Sequence, residues 1–572
     1  MRRLAGPAAL FAVALAVRLR GLSFGLPLLS NYYIRPDESL VVVPAVELVA
    51  RLGDPGHVNY PAAMMAVLSV AAHAWHAVMA AAGLAEPTLL EDFGRDPSRY
   101  FLAGRALSAV CGAALTVVVY RMATRLTAPL PATVAALWYA LSPLAVREAH
   151  FAVTDTMMAL LTVLAVLASL RVVEAPADRR RRLLAVCGVL AGAAVATKYP
   201  AAVIVPALAL VLAFPGERSG SPVPPAMLAR WWALPSALTF AALNPWLVTH
   251  PAPLLAWLRR IAAAIYAHRD DMAAAAAVTP DWPAPGDYLW LMPGGWVGAT
   301  LAMAGMGLAA RAAIHGDRRM AVVLAPALAF VLLLAPARTL PFRYLAPLLP
   351  LAAVLAALAL DQLRRRLPRP AAAAVVVAAC GAGLATTVPA TWHLVNSLAL
   401  EDTRSDAGRW IRAHVPPSVP IVWLGMPESE PQLIETPASI RRRIAWVERT
   451  YGAVAARDIE RPYLRALEAA PRPDGHEVYR NPLPEDVTAP VVCVVQAMYP
   501  SPTVITDAAA HAAWTTGSAV AGTTIGVPLP SGRHLLEPWD AFFLPLNLAG
   551  AMRPGPRFVI TIVSREKDVA PR

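Results

Sequence analysis

Long apolar stretches separated by short arginine clusters fill roughly the first two thirds of the chain. About 17–25 apolar residues in a helix are enough to cross the hydrocarbon core of a bilayer. The pattern therefore predicts a polytopic α-helical membrane protein. With every arginine cluster on the cytoplasmic side, about eleven transmembrane helices follow. They lie near 4–22, 99–121, 130–150, 155–173, 183–198, 200–215, 230–245, 288–310, 320–337, 343–361 and 371–392.

One further apolar stretch, Tyr60 to Leu84, would be one crossing too many. A full crossing there would move every later arginine cluster to the outer side, against the positive-inside pattern. We therefore expect an interfacial or re-entrant helix inside a first outer loop at 23–98. A second outer loop is expected at 245–287. Together these features make residues 1–397 the predicted membrane domain.

The composition changes after residue 397, where charge and proline increase and no stretch is long enough to span. The run Asp406–His414 has helical spacing of its apolar residues. Three short apolar runs, at 421–424, 491–495 and 558–563, predict buried strands. Residues 398–572 are therefore predicted to form a soluble α/β domain, and the parity of the spans places it on the extracytoplasmic side.

Composition supports this assignment. Of 572 residues, 57% are hydrophobic and 15% are charged, whereas soluble domains carry about 25% charged residues. The net charge of +12 does not indicate nucleic acid, because the arginines cluster between the apolar stretches. We expect a multi-pass protein of the cytoplasmic (inner) membrane.

Ionisable residues collect at the outer ends of the predicted helices. Asp37 and Glu38 follow the first span, Asp155 begins the fourth, and Lys198 ends the fifth. An acidic pair close to lipid is costly unless it performs chemistry or binds a cation. Lys198 is also one of only two lysines in the chain, which indicates that a compact point charge is wanted there, as for a phosphate oxygen.

Several motifs resemble the GT-C superfamily of membrane glycosyltransferases, and in particular its bacterial members similar to protein O-mannosyltransferases and to the lipid A aminoarabinose transferase. The resemblance covers most of the membrane half and the junction at 402–417. Its motifs are GLSFGLPLLSNYYIRPDESL at 21–40, HVNYP at 57–61, HFAVTD at 150–155, ATKYPAAVIVP at 196–206, NPWLVTHP at 244–251 and FRYLAPLLPLAA at 342–353.

The resemblance implies an enzyme that moves a hexosyl or pentosyl group from a polyprenyl-phosphate donor to a protein, lipid or glycan acceptor at the outer face, with inversion. By that likeness Asp37 is the catalytic base, Glu38 stands beside it, Asp155 is the second acid and Lys198 lies near the lipid phosphate. We also expect Glu38 and partial burial to raise the pKa of Asp37 toward the working pH.

Further candidates lie in the same outer regions. Arg343 and Tyr344 are candidates for binding the donor phosphate. Candidates for binding substrate are His150, Tyr60, Asn59 and His250. The aminoarabinose transferase has an acidic and a basic residue where this chain has Asn59 and Tyr60, which removes a metal ligand of that relative. A divalent cation therefore stays open, as does lipid A as the acceptor.

Most of the site residues also have a structural alternative. Asp37 and Glu38 could simply favour the dipole of a following helix, and Asp155 could cap the fourth span. Lys198 and Arg343 could be interfacial anchors, while the two histidines could bond to backbone or water. At the level of function, a lipid or polysaccharide flippase or transporter is the alternative, and a scaffold without activity is a third.

Overall fold

The structure is a computed structural model that describes residues 2–29, 35–214, 222–266, 284–337, 340–425, 429–451, 474–498, 512–515, 518–526, 546 and 553–565. Its first part is a bundle of helices, while the α-helices Thr403–His414 and Pro437–Tyr451 belong to the sheet part that follows it. The α-helices are Arg2–Leu19, Pro36–Glu47, Ala63–Ala81, Leu89–Arg95, Ser98–Leu126, Pro129–Ala140, Pro143–Glu148, Thr154–Glu174, Ala177–Thr197, Ile204–Ala213, Pro225–Leu228, Leu234–Leu243, Pro245–Thr249, Pro251–Tyr266, Pro285–Trp290, Gly295–Ile314, Arg318–Leu334, Leu348–Arg365, Arg369–Leu398, Thr403–His414 and Pro437–Tyr451.

Helices lie at all eleven predicted spans, although some are interrupted. The third predicted span is two helices, because the chain leaves helical geometry at Leu141–Ser142 before Pro143 begins the next helix. The sixth begins as a 3₁₀ turn, Tyr199–Val203. In the seventh, a π turn at Ala229–Ala233 joins two helices.

Five helices among the described residues are long and apolar enough to cross a membrane, judged by length and composition. They are Ala63–Ala81, Ser98–Leu126, Thr154–Glu174, Gly295–Ile314 and the helix that begins at Arg369. The protein is therefore a multi-pass membrane protein. Helix Ala63–Ala81 lies in the stretch that we expected to be interfacial or re-entrant, and its path relative to the bilayer stays a prediction.

Glycines allow close packing within the bundle. A Cβ added at Gly305 would lie 1.8 Å from the carbonyl oxygen of Leu355, so helix Gly295–Ile314 touches the backbone of helix Leu348–Arg365. A Cβ at Gly192 would likewise lie 2.2 Å from the carbonyl oxygen of Ser236. Only a residue without a side chain fits at such contacts, as is common between membrane helices.

The last part of the chain forms a five-stranded mixed sheet in the order β2-β1-β3-β5-β4. The strands are β1 Ile421–Leu424, β2 Val478–Arg480, β3 Val491–Met498, β4 Ser518–Ile525 and β5 Arg557–Ser564. The three predicted strands are thereby confirmed as β1, β3 and β5. β1 pairs with its two neighbours in parallel, and β5 pairs with its two neighbours in antiparallel fashion.

Helix Thr403–His414 packs against this sheet through Ala407 and Ile411, which are fully buried, as the helical spacing predicted. The sheet part of the chain also contacts the start of segment 23–98, which we predicted to be an outer loop. The amide of Leu29 donates to Oε1 of Gln432 over 2.8 Å, and the Arg404 guanidinium lies 6.0 Å from the ring centre of Phe24. The sheet and the start of this segment are therefore at the same end of the bundle.

Candidate active site

Asp37 and Glu38 lie in the first turn of helix Pro36–Glu47. Pro36 suits the first helical position, where its missing N–H is not needed, and the two acids favour the positive end of the helix dipole. This is the structural alternative for the pair, and it holds together with the contacts described next. Neighbouring residues on a helix point about 100° apart, so the two carboxylates meet different surroundings.

Asp37 forms an ion pair with Arg343, which is distant in the sequence. Its Oδ2 lies 2.9 Å from Nη1 of Arg343, and both side chains are mostly buried. Burial raises the pKa of Asp37, but the positive charges of Arg343, Arg35 and Lys198 lower it by more. A hydrogen bond with Tyr60 lowers it further. The pKa of Asp37 therefore lies below its ordinary value, and the group is a carboxylate at neutral pH.

Glu38 points away from this ion pair. Nε and Nη2 of Arg105 donate to its two oxygens over 2.9 and 2.8 Å. The amide of Ala152 donates to Oε1 over 2.7 Å. The expected net rise in the pKa of Asp37 is wrong. Burial does raise this pKa, but the surrounding cations lower it by more, and the charge of Glu38 is paired with Arg105.

Asp155 and Lys198 form the second ion pair of the site. Nζ of Lys198 donates to both oxygens of Asp155 over 2.7 Å, and both residues are buried. Asp155 lies in the first turn of its helix, whose N-cap is Val153 without a side-chain cap. The alternative in which Asp155 caps this helix is thus not what the structure shows. Lys198 is the C-terminal cap residue of helix Ala177–Thr197, so both charges favour their helix dipoles.

Two tyrosine rings flank the ammonium group of Lys198. Its Nζ lies 5.4 Å from the ring centre of Tyr60 and 5.5 Å from that of Tyr344, within the range of cation–π attraction. Tyr60 also bonds to Asp37, so it links the two ion pairs. Burial raises the pKa of Tyr60 well above its ordinary value, and the charge of Asp37 adds to this effect. Its hydroxyl therefore stays protonated.

Six of the predicted site residues are thus brought together by these contacts and charges. They are Asp37, Tyr60, Asp155, Lys198, Arg343 and Tyr344.

The other predicted residues lie apart from these contacts. His150 is buried, with Nδ1 2.7 Å from the carbonyl oxygen of Val146 and Nε2 2.9 Å from that of Arg20. His250 is exposed and stacks on Trp246, with ring centres 5.2 Å apart. Asn59 precedes Tyr60 and is half-buried.

Two arginines that contact the acidic residues were not predicted. Arg105 lies inside the apolar helix Ser98–Leu126 and is fully buried. Nη2 of Arg35 lies 3.2 Å from Oε2 of Glu148, which also pairs with Arg147. A charged residue within a predicted span marks a functional or paired position. That signal would have identified Arg105.

Among the described residues, no group of three or more histidine, cysteine or acidic side chains is placed to hold a metal ion. The acids of the site are instead matched by lysine and arginine: Asp37 by Arg343, and Asp155 by Lys198. The use of a divalent cation stays open.

A model of the family described as dolichyl-phosphate-mannose-protein mannosyltransferase matches residues 99–247. This range contains Arg105, Asp155 and Lys198. No curated protein sequence matches the chain.

Several solved structures are similar to this one. ArnT from Cupriavidus metallidurans bound to undecaprenyl phosphate has 15% identity and a TM-score of 0.48, covering 100% of this chain and 99% of its own. Archaeal oligosaccharyltransferase AglB from Archaeoglobus fulgidus, in complex with an inhibitory peptide and a dolichol-phosphate, has 13% identity and a TM-score of 0.46. That match covers 79% of this chain and 63% of AglB.

Arabinofuranosyltransferase AftD from Mycobacteria has 17% identity and a TM-score of 0.41, covering 98% of this chain and 41% of AftD. The family match covers the part of the chain that carries Asp155 and Lys198, and it supports the resemblance of this chain to the protein O-mannosyltransferases.

Proposed function

We propose that the protein transfers a sugar from a polyprenyl-phosphate donor to an acceptor at the outer face of the cytoplasmic membrane, with inversion and with Asp37 as the base. One observation carries this proposal. A deprotonated aspartate, paired with Arg343, lies beside a buried lysine that is held by Asp155. A base and fixed cations in one site are what a reaction with a phosphate leaving group requires.

Lys198 and Arg343 act on the leaving group. The bond between the anomeric carbon and the phosphate oxygen breaks, and the electron pair stays with that oxygen, so negative charge grows on the lipid phosphate. Cations held in place before the reaction stabilise such charge without reorganisation. The Tyr60 and Tyr344 rings and the Asp155 carboxylate restrict the Lys198 ammonium to one position.

Asp37 acts on the acceptor. Its carboxylate takes the proton of the acceptor hydroxyl while the acceptor oxygen forms the new bond to the anomeric carbon. Base and leaving phosphate are then on opposite faces of the sugar, so a single displacement inverts the anomeric centre. Such base catalysis accelerates a reaction by about 10²–10⁴. A base with a low pKa is always ionised but weak, so its environment must change when the donor binds.

Donor binding supplies that change. The lipid phosphate competes with Asp37 for the Arg343 guanidinium, which forms bidentate hydrogen bonds with a phosphate or a carboxylate. Once Arg343 turns to the phosphate, Asp37 loses the strongest of the charges that lower its pKa. The pKa of Asp37 then rises and the carboxylate becomes a better base. The donor thus activates the base that attacks it.

The sidedness rests on the two ends of helix Thr154–Glu174. Its 21 residues span about 30 Å, which matches the hydrocarbon core of a bilayer. Asp155 lies in the first turn, and Arg171 in the last turn lines a groove with Arg179 and Arg182. Arginine clusters favour the cytoplasmic side. This supports a site, and a sheet domain near it, on the extracytoplasmic side.

The remaining candidates differ in what supports them. The contact of Tyr344 with Lys198 supports a role of Tyr344 beside the donor phosphate. Asn59 and the exposed His250 are left for contacts with the sugar or the acceptor. His150 has both ring nitrogens beside backbone carbonyl oxygens, so a role in holding its loop is better supported than substrate binding.

The test incubates purified protein in liposomes with a panel of polyprenyl-phosphate sugars and follows free polyprenyl phosphate. We expect release from at least one donor and a loss of about 10²–10⁴ in Asp37→Asn. Asp54→Asn is the matched control, because Asp54 lies in the same outer loop and pairs with Arg51. Equal release by the Asp37 variant would remove this residue from the mechanism. Movement of intact donor across the bilayer without phosphate release would indicate the flippase alternative.

A further inference from the structure

The Arg105 side chain has five N–H donors and donates four hydrogen bonds to other segments of the described chain. Two of them are the bonds to Glu38. Nη1 also donates to the carbonyl oxygen of Leu22 over 3.0 Å and to that of Phe24 over 2.5 Å. The side chain is fully buried, and its guanidinium lies 5.4 Å from the ring centre of Phe151. Arg105 therefore joins the start of the first outer loop to the helix that carries Asp37.

Glu38 extends the connection to the second acid of the site. Its Oε1 accepts from the amide of Ala152 as well as from Arg105. Ala152 lies three residues before Asp155, in the short segment between helices Pro143–Glu148 and Thr154–Glu174. One buried carboxylate thus ties the turn that carries Asp37 to the segment that carries Asp155.

A second buried ion pair connects the same two segments. Arg35 is the residue before helix Pro36–Glu47, and its guanidinium contacts Glu148. Arg147 contacts the other oxygen of Glu148 over 2.7 Å. Both oxygens of Glu148 therefore have an arginine partner, just as both oxygens of Glu38 do.

We propose that Arg105 and Glu38 are positioning residues that fix the distance between Asp37 and the Asp155–Lys198 pair, an assignment that rests on the proposed transfer reaction. Burying such a pair gives little stability compared with apolar residues of similar size. Its directional bonds do fix geometry, however. Misplacing a reacting group by about 1 Å can cost about 10²-fold in rate. Neither residue needs to touch the substrate.

Two variants of Glu38 separate charge from position. Glu38→Gln keeps an acceptor for the Ala152 amide but removes the charge that holds Arg105. Glu38→Asp keeps the charge but shortens the side chain by one methylene, so the carboxylate cannot bond Arg105 and Ala152 unless the Asp37 turn moves. We expect kcat to fall about 10²-fold in both variants, while the KM for the donor stays within about threefold, because Lys198 remains in place.

Glu430→Gln is the matched control, because it removes an equally buried carboxylate that pairs with Arg480 in the sheet domain. It reports the effect of losing a buried ion pair as such, and we expect its kcat and KM to stay near wild type. Wild-type kcat in Glu38→Asp, or equal losses in the Glu38 variants and the control, would overturn the positioning role.

Hydrogen exchange provides a readout that needs no activity. In Glu38→Ala, which removes both the acceptor of the Ala152 amide and the charge that holds Arg105, we expect the amide of Ala152 and the amides of helix Pro36–Glu47 to exchange faster, while Glu430→Ala leaves them unchanged. Unaltered exchange in Glu38→Ala would refute the connection between the two segments. If the wild type releases no phosphate from any donor, the proposed reaction fails, and the exchange measurement still decides whether Glu38 joins the segments.

Discussion

The ion pair between Asp155 and Lys198 allows stability and activity to be separated in one set of variants. Asp155→Asn leaves a buried ammonium without its partner, and Lys198→Met leaves a buried carboxylate without its own. Removing one partner of a buried pair costs about 3–5 kcal/mol. Both charges lie at favourable helix ends, so the charge that remains in a single variant is stabilised by its helix dipole by up to about 1 kcal/mol. The free energy of unfolding of each single variant should therefore be about 2–4 kcal/mol lower than that of the wild type.

The double variant Asp155→Asn/Lys198→Met buries no lone charge. We expect it to be no less stable than either single variant, because replacing a whole buried pair by uncharged groups is often neutral. Its activity should not return with its stability. Loss of one preorganised group that stabilises charge in the transition state costs about 10²–10³ in kcat, and Lys198 is absent in the double variant.

The assay combines the thermal unfolding midpoint in detergent with phosphate release from the best donor in the panel. The expected result is a lowered midpoint in both single variants, recovery in the double variant, and low activity in all three. Recovery of phosphate release together with the midpoint would refute the reasoning, because the pair would then be a purely structural contact.

Other variants test single contacts. Tyr60→Phe removes a hydrogen bond that lowers the pKa of Asp37, so the acidic limb of the pH–rate profile for kcat/KM should move to higher pH; an unmoved limb would contradict this. Arg343→Gln removes the cation beside Asp37, so the same limb should move upward and the KM for the donor should increase, whereas an unchanged KM would exclude contact with the phosphate. Gly305→Val places a side chain against the backbone of Leu355 and should lower the thermal midpoint without changing KM; a midpoint at or above wild type would show that the two helices separate easily.

Patterns in the sequence were enough to predict the helices and the main strands, since apolar length and period depend on local residues. The interruptions were harder to predict. Ser142–Pro143 favours a helix boundary, because the residue before a proline avoids helical geometry, but a helix that continues through a proline kink would fit the same sequence. Likewise, no local signal distinguishes a crossing from an interfacial helix at Ala63–Ala81.

In the site, the sequence indicated the right residue types but not their orientation. Asp37 and Glu38 are adjacent, which suggested a shared environment, but the helical turn sends them in different directions. The pKa of Asp37 depends on Arg343, which comes from a distant part of the chain. The direction of the pKa shift of Asp37 could therefore not be predicted from the neighbouring Glu38. Arg105 does carry a local signal, since it is a charge inside a long apolar helix, but its partner Glu38 is 67 residues away in the sequence.

The central claim is that Asp37, Lys198 and Arg343 form one site for a lipid-linked phosphate, and a structure of the protein with bound polyprenyl phosphate tests it most directly. We expect the phosphate oxygens within hydrogen-bonding distance of Lys198 Nζ or the Arg343 guanidinium, with the ion pair between Arg343 and Asp37 opened. A phosphate bound at the arginine groove at the opposite end of helix Thr154–Glu174, with that ion pair intact, would contradict the account.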